Sequence, residues 1–241
     1  PACLRHEMGP DHPECPARLK AIADQLIASG IFPFLHHYEA PHATREQLAR
    51  VHSAACLNAI DDAAPDEGLV RIDPDTWMNP YTREAALRAA GALVLATDLV
   101  LTGEVENAFC NVRPPGHHAT RDQSMGFCFY NNVAVGIAHA LEHHGLKRVA
   151  VVDFDVHHGN GTEDIFRDDP RVMLCSSFQH RLYPGSGPSQ SSDHLILVPL
   201  PAHTRGPAFR AAVAKHFLTA LNVFRPQMVF VSAGFDSHRE D

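Results

Sequence analysis

The sequence predicts an α/β fold in which an open, doubly wound, mainly parallel sheet is flanked by helices. One observation is a set of short apolar runs that are rich in Val and lack polar alternation, as in strands buried on both faces of a parallel sheet. The second is that amphipathic helical stretches alternate with these runs along the chain. The predicted strands cover residues 149–154, 172–175, 195–200 and 228–231.

The predicted helices show apolar residues that recur every three or four positions. They cover 17–29, ending at Gly30, 82–101, ending at Gly103, 132–144, ending at Gly145, a short stretch at 163–167, and a run that begins at Pro207. A glycine directly after a helix is favourable because it readily adopts the left-handed conformation that closes many helices. Ligands in such folds bind at the carboxyl ends of the strands, so functional residues are expected there.

Composition limits the classes of function. A chain of 241 residues that is 45% hydrophobic can bury one large core, so we expect a single domain over residues 1–241, although both ends look cropped. A net charge of −8, without any run rich in Lys or Arg, argues against direct nucleic-acid binding. Six scattered cysteines indicate reduced thiols, and no apolar run approaches the ~20 residues that span a bilayer. We therefore expect a cytoplasmic protein without a membrane partner; its oligomeric state stays open.

Polar residues follow two of the predicted strands. Asp155 and His157 come after the strand at 149–154, and alternating residues of an extended chain point the same way, so both can face one cation. Asp236 follows the last strand in the same manner. Two carboxylates and one imidazole leave a coordination position open for water, as in a catalytic rather than a structural zinc site. For the Asp-x-His pair alone, a loop start that caps the next helix is an equally good interpretation.

Two adjacent histidines, His117 and His118, follow a rigid Pro-Pro-Gly turn and the short run 107–111, which we interpret as a third strand end. One imidazole can remove a proton from the attacking water while the other protonates a leaving amine. Asp153 is in phase with Asp155, one step deeper, where it can orient a catalytic group or bind a second cation. The remaining histidine pairs fall in no recognisable pattern: His36, His37, His143 and His144.

Five segments closely resemble the histone deacetylase superfamily, which includes acetylpolyamine amidohydrolases and acetoin-utilisation proteins. They are H-P-E-C-P-A-R-L at 12–19, R-P-P-G-H-H at 113–118, G-F-C-F-Y-N-N at 126–132, D-F-D-V-H-H-G-N-G-T at 153–162 and S-A-G-F-D at 232–236. They occur in the order of the family and cover nearly the whole chain. The resemblance implies the arginase/deacetylase type of α/β fold.

The resemblance also implies Zn²⁺-dependent hydrolysis of a linear amide C–N bond, with Asp155, His157 and Asp236 as the metal ligands. Carboxylate and imidazole ligands accept Fe²⁺ or Co²⁺ as well, so the identity of the ion stays open. The substrate would be acetylated lysine, an acetylated polyamine or another small acylamide, and the sequence does not choose among them. The family usually supplies an oxyanion donor from a tyrosine in a Gly-rich loop beyond the last of these motifs. We expect such a loop after Asp241 in a longer chain.

By the same resemblance, Asp153 is the partner of the deeper histidine, His117, and Asn160 is the partner of His118. Such partners hold an imidazole in one tautomer and one orientation. An Asn at this position is more typical of class II than of class I members. These four residues form the implied proton-transfer centre.

The resemblance implies four further features. Gly126 and Phe127 match one wall of an acyl-lysine channel, Tyr183 is a candidate for the opposing wall, and Arg18 resembles the arginine at the channel's inner end. A structural K⁺ site is implied near the backbone of Asp153, Asp155, His157 and Ser176.

Two alternatives remain open. An arginase-like binuclear manganese hydrolase needs Asp-x-His-x-Asp, whereas Gly159 stands at the position of the second Asp, so one metal fits better than two. A catalytically weak acyl-lysine-binding protein is the other alternative. The complete ligand set and the paired histidines favour the enzyme.

Overall fold

The fold is known from a computed structural model that describes residues 2–185, 187–188 and 190–241. The chain divides into two compact units, one that ends at Gly136 and one that comprises Ile137–Asp241. Each unit buries apolar side chains of its own. Among the described residues, no helix combines the length and the hydrophobicity needed to cross a bilayer. The single domain expected from the sequence stays a prediction.

The first unit is mainly helical. Its elements are α1 (Ala17–Ala28), α2 (Arg45–Ala49), α3 (Ala54–Ala63), a hairpin of β1 (Val70–Asp73) and β2 (Thr76–Met78), α4 (Thr82–Leu101) and the start of α5 (Asn132–Glu142), with single 3₁₀ turns at Ala2–Leu4 and Phe32–Phe34. The structure confirms the predicted helices α1, α4 and α5. Gly30, Gly103 and Gly145, which follow them, have φ of +73°, +77° and +70°, the left-handed conformation expected of helix-ending glycines.

The second unit is built on a four-stranded parallel sheet. Its strands are β3 (Val149–Asp153), β4 (Val172–Gln179), β5 (Leu195–Leu200) and β6 (Met228–Ser232), in the spatial order β5-β4-β3-β6. All four were predicted, and the parallel pairing confirms the predicted class of sheet. The chain proceeds from β3 through β4 to β5 in one direction and then returns to place β6 on the other side of β3. The strand order therefore reverses between β3 and β6.

Helices of the second unit connect and cover these strands. They are α6 (Asn160–Phe166), α7 (Gly206–Val213), a π-helical turn at Ala214–Leu218 and α8 (Thr219–Phe224). Phe217, in the π-helical turn, packs with Ala150 and Met173 in a buried cluster on one face of the sheet. The connection that follows β5 thus covers the sheet and delivers β6 to its position beside β3.

Some elements differ from those predicted. Residues 107–111 form no strand, so the histidine pair does not follow a strand end as expected. This segment has no strand partner among the described residues to complete its hydrogen bonds. Helix α5 ends at Glu142 because Gly145 closes it, and β4 extends to Gln179 through its pairing with β5. Helices α2 and α3 and the hairpin were missed. Helix α2 and the two hairpin strands have only three to five residues each, too few to show a period.

A buried ion pair anchors the segment that leads to His117. Arg113 donates from Nε and from a terminal nitrogen to the two carboxylate oxygens of Glu14, at 2.5 and 2.6 Å. The same guanidinium donates to the carbonyls of Cys3 and His6 at 2.7 and 3.0 Å. Burial by itself would raise the pKa of Glu14, but hydrogen bonds and charge from His6 and Arg113 lower that pKa to about 2. The carboxylate therefore stays ionised, and the pair ties the N-terminal segment to the loop that starts at Arg113.

A buried, neutral histidine supports the far side of the same loop. The backbone N–H of Asn131 donates to Nε2 of His52 at 2.9 Å, so Nδ1 carries the proton and donates to the carbonyl of Thr120 at 2.9 Å. Burial is the largest influence on the pKa of His52 and lowers it to about 4, outweighing the backbone hydrogen bonds to Thr120 and Arg121 that raise it. His52 thus connects two backbone segments only in its uncharged form.

Replacing Glu14 by Gln is expected to lower the free energy of unfolding by about 3–5 kcal/mol, because it leaves the buried guanidinium of Arg113 without a counter-charge. Urea denaturation measures the change. The matched control is Asp24→Asn, which breaks an exposed pair with Lys20 at 3.2 Å and should cost no more than about 0.5 kcal/mol. Equal effects of the two substitutions would contradict the assigned role of the buried pair.

The pH dependence of stability should report His52. Its folded pKa lies below the unfolded value of 6.5, so the unfolded chain takes up the proton first and stability is lost as the pH falls from 6.5 towards 4. The loss from this group between about pH 7 and about pH 5 is about 2 kcal/mol. His52→Gln should remove that part of the dependence in denaturation experiments at both pH values, whereas the exposed His36→Gln should retain it. A His52→Gln variant as pH-sensitive as the parent would refute this account.

Candidate metal centre

The candidate metal centre lies where the strand order of the sheet reverses. Asp155 and His157 follow β3, and Asp236 follows β6, its neighbour in the sheet. Each of the three side chains offers one ligand atom, and these atoms lie within 4.8 Å of one another. Crevices of this kind, outside the carboxyl ends of parallel strands, are the general ligand sites of open α/β sheets. The structure thus brings together the three residues predicted as metal ligands.

The imidazole of His157 lies between the two carboxylates. Its Nδ1 is 3.0 Å from an oxygen of Asp155 and 2.9 Å from an oxygen of Asp236. Both hydrogen bonds raise the pKa of His157, and the one with Asp155 has the larger effect. Burial opposes them, and the resulting pKa is about 10. The pair of carboxylates therefore creates a point at which positive charge is strongly stabilised.

Backbone hydrogen bonds hold the carboxylates in place. The N–H of His157 donates to Asp155 Oδ1 at 2.7 Å, and the N–H of Val156 donates to Asp236 Oδ1 at 2.9 Å. One step deeper, the buried Asp153 accepts from the N–H of Asp155 at 3.2 Å. Each acidic side chain is thereby oriented by the chain turn after β3, which leaves other carboxylate lone pairs available to a cation.

Gly234 provides the space for this arrangement. A Cβ built on Gly234 would overlap the carboxylate of Asp155, with Oδ2 as its nearest atom. A side chain at this position would therefore push Asp155 away from His157 and Asp236. Gly234 stands within the S-A-G-F-D motif, but its role is not predictable from one sequence, because the close approach of two chain segments arises only in the folded chain.

The centre is partly open to solvent. The side chains of Asp155, Asp236 and His157 keep 15%, 23% and 32% of their surface accessible, whereas a closed structural site would bury its ligands. The ring of Tyr183 lies beside His157, with centroids 6.2 Å apart and planes at 80°. Tyr183, predicted as a wall of the substrate channel, is thus placed next to a candidate metal ligand.

The histidine pair lies in the first unit. The rings of His117 and His118 have centroids 4.0 Å apart at 49°, and both side chains are buried. A Cβ on Gly116 would be 2.5 Å from the backbone nitrogen of Asn132, so only glycine permits this approach. Asn132 also donates from its side chain to the carbonyl of Pro114 at 3.0 Å. The pairing of these histidines with Asp153 and Asn160 stays a prediction.

Asn131 supports the same loop, and sequence reasoning missed it. Its side-chain amide donates to the carbonyl of Ala119 at 3.1 Å, directly after the histidine pair. Together with His52, which accepts from the backbone of Asn131, it fixes the loop at its exit. The adjacent asparagines of the G-F-C-F-Y-N-N segment were the available signal, because two buried amides next to each other need several hydrogen-bond partners.

The predicted channel residues of the first unit lie in a tight backbone turn. Gly126 and Phe127 form a tight turn with φ of +56° and +67°, and the N–H of Phe127 donates to the hydroxyl of Thr76 at 2.9 Å. The ring of Phe127 also meets that of His12 at 4.6 Å. A non-glycine residue held in the left-handed region costs free energy, so this turn fixes the ring of Phe127 at the expense of local strain.

The role predicted for Arg18, at the inner end of the channel, stays a prediction. Its side chain is 56% exposed and lies 3.4 Å from Glu14 on the first turn of α1. The buried arginine of this unit is Arg113, which holds the same Glu14 through two hydrogen bonds. Glu14 thus contacts one exposed and one buried guanidinium group.

The structure resembles solved and curated proteins over nearly its whole length. The crystal structure of the HDA15 HD domain superposes with a TM-score of 0.93 at 36% identity, covering 100% of this chain and 72% of that one. A histone deacetylase-like amidohydrolase of Pseudomonas aeruginosa is 39% identical and is matched over 100% of this chain and 63% of its own length. The human polyamine deacetylase HDAC10 is 38% identical over 94% of this chain and 37% of its own length.

The family match includes the five motif segments and the four strands of the parallel sheet. The histone deacetylase domain family matches residues 12–241, a range that contains the three candidate ligands and both histidines of the pair. The relatives are named as deacetylases or amidohydrolases, which are hydrolases. This chain therefore belongs to the histone deacetylase family of hydrolytic deacetylases.

Proposed function

We propose that this protein is a metal-dependent amidohydrolase that removes acetyl or related acyl groups from acetyl-lysine or another acetylated amine. The observation that carries the proposal is the convergence of Asp155, His157 and Asp236 at the reversal point of the sheet. Two acidic side chains of this degree of burial repel each other unless a positive charge lies between them. A resident cation explains why the fold places both there.

The residues present fit a zinc ion. Zn²⁺ accepts carboxylate oxygens and imidazole nitrogens at about 2.0–2.2 Å, and a catalytic site uses three protein ligands. Structural zinc sites use cysteines more often, and none of the cysteines belongs to this cluster. Carboxylate and imidazole ligands also accept Fe²⁺, so metal identity is decided by availability and geometry rather than by ligand type alone.

A bound Zn²⁺ would supply Lewis-acid polarisation of the amide carbonyl and would lower the pKa of water to about 7. The chain's own groups then handle the protons. His118, with His117 against its ring, accepts a proton from the attacking water and returns it to the leaving amine. Asp153 and Asn160 are proposed to hold these imidazoles in the required tautomers. The hydrogen bonds of Asn131 and Asn132 keep the two rings in a fixed position for this transfer.

A structural K⁺ ion is proposed beside the centre. Ser176 lies opposite Asp153 in the sheet, and its buried hydroxyl oxygen has no hydrogen-bond partner among the described residues. A hard cation that prefers oxygen ligands would coordinate that hydroxyl oxygen. It would also offset part of the negative charge of the buried Asp153. Such an ion would stiffen the turn that carries Asp155 and His157.

The proposed substrate enters between aromatic side chains. Phe127 and Tyr183 are proposed as the walls of a narrow channel for the methylene chain of an acylated amine, because apolar rings favour such a stem while the amide reaches the metal. Acetyl-lysine and acetylated polyamines share this stem and differ at its far end. The name of the human relative indicates a polyamine substrate for that protein, and both classes belong in the test of this one.

Gly234→Ala should weaken zinc binding by more than about tenfold, because the new methyl group displaces the carboxylate of Asp155 and misplacement of ligand geometry costs at least that much. Competition with a chromophoric chelator measures the affinity. Gly206→Ala is the matched control, since a Cβ there meets only the tip of the Arg210 side chain. If both variants bind zinc as the parent does, Asp155 is not a ligand.

Hydrolysis of an acetyl-lysine peptide and of an acetylated diamine should depend on the metal centre. Chelation should abolish the rate, and added Zn²⁺ or Fe²⁺ should restore it. Asp155→Asn should lower kcat/KM by more than about a hundredfold, whereas Asp168→Asn, which changes an exposed acid of the same unit, should not. Turnover that survives chelation would overturn the proposal.

A further inference from the structure

Three histidines form a second cluster at the end of α5, apart from the residues of the candidate metal centre. His139 lies in the last turn of the helix, and His143 and His144 follow the helix directly. The nitrogen atoms that the three imidazoles offer lie within 4.8 Å of one another. The rings of His139 and His143 are stacked at 4.7 Å and 12°, and the ring of His144 meets both edge-on, at 5.4 and 4.9 Å.

Local backbone geometry produces this cluster. His139 and His143 are four residues apart, so they occupy one face of the helix. The N–H of His143 donates to the carbonyl of His139 at 2.9 Å, which extends the helical turn, and Gly145 then reverses the chain. The N–H of Leu146 closes the end on the carbonyl of Ala140 at 3.2 Å. The three rings are therefore gathered by a rigid helix end.

The cluster has the chemistry of a borderline metal site. Imidazole nitrogens are preferred ligands of Cu²⁺, Ni²⁺ and Zn²⁺ and poor ligands of Mg²⁺ or Ca²⁺. The carboxyl end of a helix carries partial negative charge, which favours a cation there. The neighbouring Glu142 pairs with Arg171 at 3.0 Å and is not one of the clustered groups.

Convergence of the three nitrogens on one ion would require small side-chain rotations. Ligands at about 2.0–2.1 Å in tetrahedral geometry place donor nitrogens about 3.3 Å apart, which is closer than the present limit of 4.8 Å. His139 is buried, with 4% of its surface accessible, whereas His143 is exposed and His144 half-buried. The outer two rings can therefore rotate towards the inner one without opening the core.

We propose that His139, His143 and His144 form a second metal site that binds one borderline divalent cation, with highest affinity for Cu²⁺, independently of the catalytic ion. The order of affinity follows from the general preference of nitrogen sites for Cu²⁺ over Zn²⁺ and Ni²⁺. Binding of the ion to the folded chain stabilises it by an amount that rises with the logarithm of the free metal concentration once that concentration exceeds Kd.

Copper titration of the zinc-loaded protein tests this site. Electron paramagnetic resonance should show one equivalent of bound Cu²⁺ with splitting from several imidazole nitrogens. His143→Ala combined with His144→Ala should weaken that binding by more than about tenfold and remove the spectrum. His143→Ala alone changes only an exposed side chain and should act in the same direction, so a folding defect of the double variant does not decide the outcome.

The matched control is His36→Ala combined with His37→Ala, an adjacent and exposed histidine pair. It should leave the copper affinity and the spectrum unchanged. Asp155→Ala should also retain them, which separates this site from the proposed catalytic metal. The proposal is overturned if the double variant of His143 and His144 binds copper as the parent does, or if the control pair loses the same signal.

Discussion

The convergence of two carboxylates on one imidazole at the point where the strand order reverses is the constraint on which the rest of this structure depends. Asp155 and Asp236 repel each other and are partly withdrawn from water, so their approach to His157 must be stabilised by positive charge. The parallel pairing of β3 with β6 imposes the approach, because it sets the ends of the two strands side by side. Because Gly234 has no Cβ, the segment after β6 can lie close to the carboxylate of Asp155.

The loop that carries the histidine pair is held instead by a buried ion pair at one end and by neutral hydrogen bonds at the other. Arg113 and Glu14 form a buried ion pair at its start, where desolvation is offset by two short hydrogen bonds and by the carbonyls around the guanidinium. His52 and Asn131 hold its exit through neutral hydrogen bonds to the backbone. General acid–base chemistry needs rings whose orientation does not drift. This loop has no strand partner in the part of the chain that the structure describes, and it obtains that rigidity from buried polar contacts at both ends.

Family membership and local structure have separate consequences for this protein. The match over residues 12–241 and the TM-score of 0.93 concern the fold and the motifs that the chain shares with hydrolytic deacetylases. The histidine cluster at the end of α5 arises instead from a four-residue spacing followed by a helix-ending glycine. A common catalytic fold can thus carry a metal-binding feature that its chemistry does not require.

The sequence by itself determined the four strands of the sheet and the main helices, and it identified Asp155, His157 and Asp236 as the candidate metal ligands. Short apolar runs that are rich in Val and lie between helical stretches favour strands buried on both faces of a sheet, and polar residues after such runs mark strand ends. Only the tertiary structure decided that β6 lies beside β3, that Gly234 must lack a side chain, that Arg113 is buried against Glu14, and that His139 joins His143 and His144. These features are contacts between distant segments or side-chain orientations at a helix end, and local periodicity carries no information about which distant segment will approach or which of two like charges will be buried.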